Sequence, residues 1–260
     1  MNNKVNLLLG CLFFIGILFI SYSLFWGLSP VLLVFIYFYL KGTNRKLLVV
    51  YSAFLIGFTG FQVSATTFAQ LVDNKQLIVL ANRLCLLFVV ISLVSISRFF
   101  KEPFQYHKRP KWDAKIFFPF IWRGFHSIDV KYFLLTAILI NIIIFIPIIA
   151  IQDGEYTNQF FLFAISFAIL NATLEEFIWR GYFLSQLKES VNEYYAVIFT
   201  SIGFGLQHIA IGIPLIPSLL FTFGGLFFAG VVVRSNSIYP SIFWHILLNL
   251  GMVYSGFILS

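Results

Sequence analysis

From Val5 to Leu40 the chain carries no charged side chain, and similar apolar runs recur to its end. In water such runs have no interior large enough to hide them. A bilayer crossing needs them, because about 20 mostly apolar residues span the hydrocarbon core. Backbone N–H and C=O groups in lipid must be satisfied within the protein, so these runs read as helices. Composition agrees. The 260 residues are 60% hydrophobic and 10% charged, against roughly 25% charged in soluble domains, and mean hydropathy is +0.93. This excludes a soluble enzyme, a disordered chain, a secreted disulfide scaffold and a nucleic-acid-binding module. Cys11 and Cys85 lie in apolar runs without disulfide or metal spacing. Too few apolar residues precede Cys11 for a signal peptide, so the first run reads as a retained helix.

The expected fold is an all-α polytopic transmembrane bundle of eight to nine spans. Trp26-Gly27-Leu28-Ser29-Pro30 breaks the first run into short spans over 6–25 and 28–40. Further spans fall near 47–70, 77–99, 132–151, 160–182, 195–212, 215–233 and 239–259. Nine spans with the N-terminus inside put Lys4, Lys41, Arg45, Lys46, Lys188 and Arg234 on the cytoplasmic side, with the basic segment 101–131. The other side receives Lys75, Asp73, Asp153 and Glu155. That asymmetry follows the positive-inside rule and accounts for the net charge of +7. Segment 101–131 interleaves its cations with Trp112, Phe117, Phe118, Phe120, Trp122 and Phe125. It reads either as an interfacial stretch on anionic lipid or as a connecting loop. The chain thus divides into N-terminal helices without a motif (1–100), this segment (101–131) and a C-terminal helical core (132–260).

Charges in a bilayer core are costly and mark function. In spans 1 to 4 Arg83 is the exception to an otherwise apolar interior. The remaining buried ionisable groups fall within 175–249: Glu175, Glu176, Arg180, His208 and His245, on three helices. They are expected to meet in one water-accessible cavity. Glu176 and Arg180 are four apart and share a helix face, as a charge-cancelling pair would. Glu175, about 100° around the helix, is left to face a cavity. Phe204 and His208 are four apart, as are His245 and Asn249, which puts an imidazole and an amide on one stripe as donors for an oxyanion. Gly203, Gly205, Gly224, Gly225, Ala229 and Gly230 would let these helices approach closely. His208 lies far along its span and His245 early in its own, so convergence requires span 195–212 to begin several residues earlier.

Glu175-Glu176-Phe177-Ile178-Trp179-Arg180 matches E-E-x-x-x-R, Phe204-Gly205-Leu206-Gln207-His208 matches F-x-x-x-H, and His245-Ile246-Leu247-Leu248-Asn249 matches H-x-x-x-N. In this order on successive helices, they resemble the CPBP family of intramembrane proteases, which includes type 2 CAAX prenyl endopeptidases and bacteriocin-processing or self-immunity (Abi) proteins. The resemblance covers about residues 130–259. It implies an integral membrane endopeptidase, of the prokaryotic plasma membrane, whose site opens to the cytoplasmic side. Its substrate would be a membrane-anchored or hydrophobic peptide, prenylated or bacteriocin-type. Its partners would then be membrane lipid and that peptide, with no nucleic acid.

In this reading Glu175 is the base that activates water, with Arg180 as a nearby cation, and His208 shares the water or its proton. His245 and Asn249 stabilise the oxyanion, and Glu176, Arg180 and Phe204 support. No cofactor is required. A divalent metal such as zinc is the alternative, held by Glu175, His208 and His245. The absence of H-E-x-x-H spacing favours metal-independent chemistry. A transporter or a non-catalytic scaffold would use the same polar cluster differently, but the chain shows no internal repeat of the kind transporters carry.

Overall fold

The computed structural model describes residues 3–101, 104–119, 121–152 and 159–258. Each expected span finds a helix. These are α1 (Asn3–Ser21), α2 (Leu28–Leu40), α3 (Arg45–Leu71), α4 (Lys75–Cys85) and α5 (Leu87–Phe99) in the first part. After the basic segment come α6 (Val130–Ala150), α7 (Phe161–Glu176), α8 (Leu184–Ser190), α9 (Glu193–Leu206), α10 (Leu215–Ser235) and α11 (Tyr239–Tyr254). Among the described residues seven helices are long and apolar enough to cross a membrane. The protein is an integral membrane helical bundle.

Local chemistry sets several boundaries. Asn74 caps α4, its side chain accepting from Leu77 N at 3.0 Å, and Asn192 caps α9 through Tyr195 N at 3.0 Å. A break at Leu86 separates α4 from α5, with Leu86 N donating to Arg83 O at 3.1 Å. There α3 packs so closely that a Cβ on Gly57 would lie 2.8 Å from Val89 Cα. Arg83 therefore sits in the last turn of α4, directly before this break.

Segment 101–131 departs from the all-helical expectation. It holds an antiparallel hairpin of β1 (Lys115–Pro119) and β2 (Gly124–Asp129), in register from Lys115↔Asp129 to Phe118↔His126 with a shift before Pro119↔Gly124. Ile116 is the buried residue of β1, while Lys115 and Phe118 are exposed. A Cβ on Gly124 would collide with the Phe118 carbonyl oxygen, so the turn needs glycine. Lys115 pairs with Asp129, and Lys131 Nζ lies 2.5 Å from Asp113 Oδ1. That bond holds the Asp113 carboxyl below its ordinary range. Trp122 Nε1 donates to Glu193 Oε1 at 2.7 Å, which ties the hairpin to the start of α9. Of the residues named from sequence, Phe120, Asp153 and Glu155 lie outside the described residues.

The stretch before the hairpin roofs the α10–α11 turn. Ile238 N donates to Tyr106 O at 2.8 Å and Lys111 N to Ser235 O at 2.8 Å. Tyr106, Ser235, Ser237 and Ile238 are buried. Helix α11 therefore starts beneath the protein's face, and its sixth or seventh residue already lies deep. This is the main reason that His245 reaches the level of His208. Helix α9 begins at Glu193, only slightly earlier than expected.

Glycines set the α9–α10 contact. A Cβ on Gly205 would lie 2.9 Å from Ser218 O, and one on Gly225 would lie 3.0 Å from Ser201 Cα. Gly203 admits the Trp179 ring, and Gly230 faces Ile121. Gly224 differs from expectation: a Cβ there would meet nothing within 4 Å. Behind the site, Phe13 stacks on Tyr51 at 4.4 Å, Phe54 lies 4.8 Å from Trp179, and Phe13 lies 5.2 Å from Phe183. This aromatic core fastens α1 and α3 to the helix that carries the paired glutamates.

Candidate active site

Glu175 and Glu176 are the last two residues of α7, and both are buried. Beyond them the backbone widens into a π-helical turn, Phe177–Phe183, before α8 resumes. Such turns, with their i→i+5 hydrogen bonds, occur frequently at functional sites. Regular helical spacing gave no sign of it.

The two carboxylates face different partners. Glu176 Oε1 accepts from Arg180 NH1 at 2.9 Å and pairs with His245 Nδ1 at 3.0 Å, while Oε2 accepts from Ser241 Oγ at 2.6 Å. Arg180 NH2 donates to Gly225 O at 3.2 Å, and its guanidinium lies over the Phe204 ring at 4.2 Å. The Glu176–Arg180 pair expected from spacing is thus present, and it also clamps α7 to α10 and α11.

Glu175 turns to a cavity of about 70 Å³. Its Oε1 accepts from Gln207 Nε2 at 3.1 Å, and its Oε2 accepts from Asn171 Nδ2 at 3.3 Å. His245 Nε2 lies 3.6 Å from Oε2, and Arg83 NH1 lies 3.6 Å from Oε1. His208, His245, Asn249, Phe204 and Arg83 line the same cavity. The structure therefore brings together every residue singled out from sequence. It adds a cation that the sequence reading gave no role: Arg83 lies against Glu175, while Arg180 bonds to Glu176.

Hydrogen bonding assigns the imidazole tautomers. His208 Nδ1 lies 2.8 Å from Phe204 O. A carbonyl only accepts, so Nδ1 carries the proton and Nε2 offers a lone pair. The ring is held flat on Phe221, centroids 4.0 Å apart. His245 bridges the two glutamates and stacks on Phe228 at 4.8 Å. Asn249 Nδ2 is buried and has no hydrogen-bond partner among the described residues, an unspent donor in the cavity wall.

Sequence reading missed three side chains of this network, Asn171, Gln207 and Ser241, and gave Arg83 no role. Each carried a positional signal. Asn171 precedes Glu175 by four residues, Ser241 precedes His245 by four, and Gln207 adjoins His208. Their type alone does not separate them from the polar residues that join membrane helices.

The cluster does not fit a metal site. Among the described residues no group of three or more His, Cys, Asp or Glu side chains is arranged to hold a metal ion. Arg83 also occupies the neighbourhood of Glu175 with a positive charge of its own. Glu175, His208 and His245 do not form such a group.

From sequence, the site is expected to open toward the cytoplasm or laterally to lipid. The cavity wall includes Ile211 and Ile213 of the α9–α10 connection and Ile258 beyond α11, and the basic segment roofs the α10–α11 turn.

Residues 157–251 match the family described as Type II CAAX prenyl endopeptidase Rce1-like. Over these residues the chain is similar to the CAAX protease family. The match takes in Glu175, Glu176, Arg180, Phe204, His208, His245 and Asn249, and it leaves Arg83 outside. No curated protein matches the chain, and no solved structure matches it. The Rce1-like family is named for an endopeptidase, so the similarity is to a protease family, in a membrane protein.

Proposed function

We propose that this chain is an intramembrane endopeptidase that hydrolyses a peptide bond of a membrane-anchored or hydrophobic peptide with water activated by Glu175. The observation that carries the reading is the shared cavity, into which three separate helices direct Glu175, His208, His245 and Asn249.

The residues divide the chemistry as follows. A water in the cavity gives its proton to a Glu175 oxygen, and His208 Nε2 holds its second hydrogen in place. The water oxygen bonds to the scissile carbon, and the carbonyl electron pair moves onto oxygen. Asn249 Nδ2–H donates to that oxyanion. Glu176 pairs with His245 Nδ1 and so turns Nε2 toward the Glu175 side of the cavity, beside the oxyanion. Glu175 then returns the proton to the departing amine, and the C–N bond breaks. Gln207 and Asn171 hold the Glu175 carboxylate at a fixed angle throughout.

The cavity is sized for water, so a peptide must displace part of the wall, and Ile211, Ile213 and Phe221 are partly exposed members of it. With the basic segment on the cytoplasmic side, this route leads to the opposite face. A cysteine at Ile213 should react with a membrane-impermeant maleimide on intact cells, and one at Lys111 only after permeabilisation. The reverse pattern would put the site on the cytoplasmic side.

The decisive experiment uses purified protein in liposomes with a panel of membrane-anchored peptides, prenylated and unprenylated. Cleavage by the wild type should fall about 10²- to 10⁴-fold in Glu175→Gln, the usual contribution of a general base. The variant leaves Arg83 without its counter-charge, so its thermal unfolding in detergent should shift down yet stay a single cooperative transition. Equal cleavage by both proteins would remove Glu175 from the mechanism, and proton-coupled uptake without cleavage would make the cluster a transport site.

A further inference from the structure

Arg83 is the one charged group that the N-terminal helices send into the cavity. Its side chain is 9% exposed. It lines the cavity with Glu175, and its Nε is buried with no hydrogen-bond partner among the described residues. A guanidinium carries five N–H donors in a fixed fork and stays charged. The ion pair with Glu175, at 3.6 Å, is longer than a hydrogen bond, and the Phe167 ring lies 5.7 Å from the guanidinium. A buried donor left unmet costs free energy. One that faces a water-sized cavity beside the proposed base is placed to meet an acceptor that arrives with the substrate.

We propose that Arg83 is a catalytic residue that donates to the oxyanion formed at the scissile carbonyl, so that the N-terminal helices complete the active site. This rests on the proteolytic reading above. When water attacks, its proton passes to the Glu175 carboxylate, its oxygen bonds to the carbonyl carbon, and the C=O π pair becomes the oxyanion lone pair. One negative charge is thereby moved, without being created, from Glu175 to the new oxyanion across the same cavity. A cation fixed beside both positions balances the charge before and after the step without moving, the preorganisation that makes electrostatic catalysis effective. Asn249 and His245 act on the oxyanion from α11, whereas Arg83 supplies a fixed positive charge from α4. The fork geometry also explains a preference for arginine over lysine here.

The test compares wild type, Glu175→Gln, Arg83→Met and Arg83→Lys in liposomes on one cleaved reporter peptide. Arg83→Met should lower kcat about 10²- to 10³-fold, the scale for losing an oxyanion donor, with KM little changed. Arg83→Lys should recover part of that loss. If Arg83→Met keeps wild-type kcat while Glu175→Gln is inactive, the inference fails and the proteolytic reading stands. If the wild type cleaves no peptide of the panel, the proteolytic reading fails and takes this one with it. A second measurement separates oxyanion contact from support of Glu175 and covers a misfolded single variant. Glu175→Gln and the double variant Glu175→Gln/Arg83→Met, in which both charges are gone, are titrated with a phosphonate analogue of the reporter. Its tetrahedral anion should bind the double variant at least about ten-fold more weakly, as for a lost charge-assisted hydrogen bond. Equal affinities would overturn the assignment.

Discussion

Helices α6 and α9 invert the rule that governs soluble proteins. Within Val130–Ala150 an 18-residue window has mean hydropathy 2.8, yet only 6% of that window is buried inside the protein. The corresponding window of Glu193–Ile211, which takes in the short turn after α9, has mean hydropathy 1.3 and is 67% buried. Lipid solvates Ile140, Ile143 and Ile146 of α6, so these side chains gain nothing by turning inward. The interior of α9 is instead built from Gly203 and Gly205, from Thr200 and Ser201 bonded to their own helix, and from His208 at its end. Without a hydrophobic drive between helices, association relies on close packing and polar contacts. High hydropathy thus marks the outside of this bundle, and small and polar residues mark its centre.

Four substitutions test this contrast, in order of decreasing effect. Glu176→Gln should be the most destabilising, by about 3–5 kcal/mol, because it leaves Arg180 buried without its counter-charge. Thermal unfolding in detergent measures it, and Arg180→Met in the same background should recover part of the loss. Gly225→Leu should cost about 1–3 kcal/mol by overpacking against the Ser201 backbone. It should also separate α9 from α10, which a cysteine crosslink between the two helices would report. Trp122→Phe should cost about 1 kcal/mol, one hydrogen bond to Glu193, and loosen the hairpin by hydrogen exchange while cleavage persists. Ile143→Ala on α6 should stay within about 0.5 kcal/mol of wild type, as for a side chain without protein partners. Should Ile143→Ala destabilise as much as Gly225→Leu, α6 is a packed helix and the contrast between the two regions is lost.

The helices were legible because bilayer crossing imposes length and apolarity on contiguous residues, and the break at Trp26–Pro30 was written in Gly and Pro. The hairpin at 115–129 was not, since five-residue strands beside cations resemble a loop in a chain dominated by helices. The motif residues were legible too, because charge within an apolar run stands out. Their partners Asn171, Gln207 and Ser241 did not stand out, being ordinary polar residues whose meaning lies in what they touch.

The chain's own order of residues determined that it would lie in a membrane, where its helices begin and end within a few residues, and that Glu175, Glu176, Arg180, His208, His245 and Asn249 belong together. Those facts rest on local patterns of hydropathy and on the cost of stranding charge in lipid. Tertiary structure decided which distant groups join that set. The four-residue spacing already pairs Arg180 with Glu176, and the Ser241 and His245 contacts complete the surroundings of that carboxylate. Arg83, distant in sequence, reaches Glu175 because α3 and the break at Leu86 press α4 against α7. The depth of His245 was set in the same way, by a roof of residues 104–114 over the α10–α11 turn. Partner choice of this kind depends on how helices pack across long separations, and no spacing along a single helix encodes it.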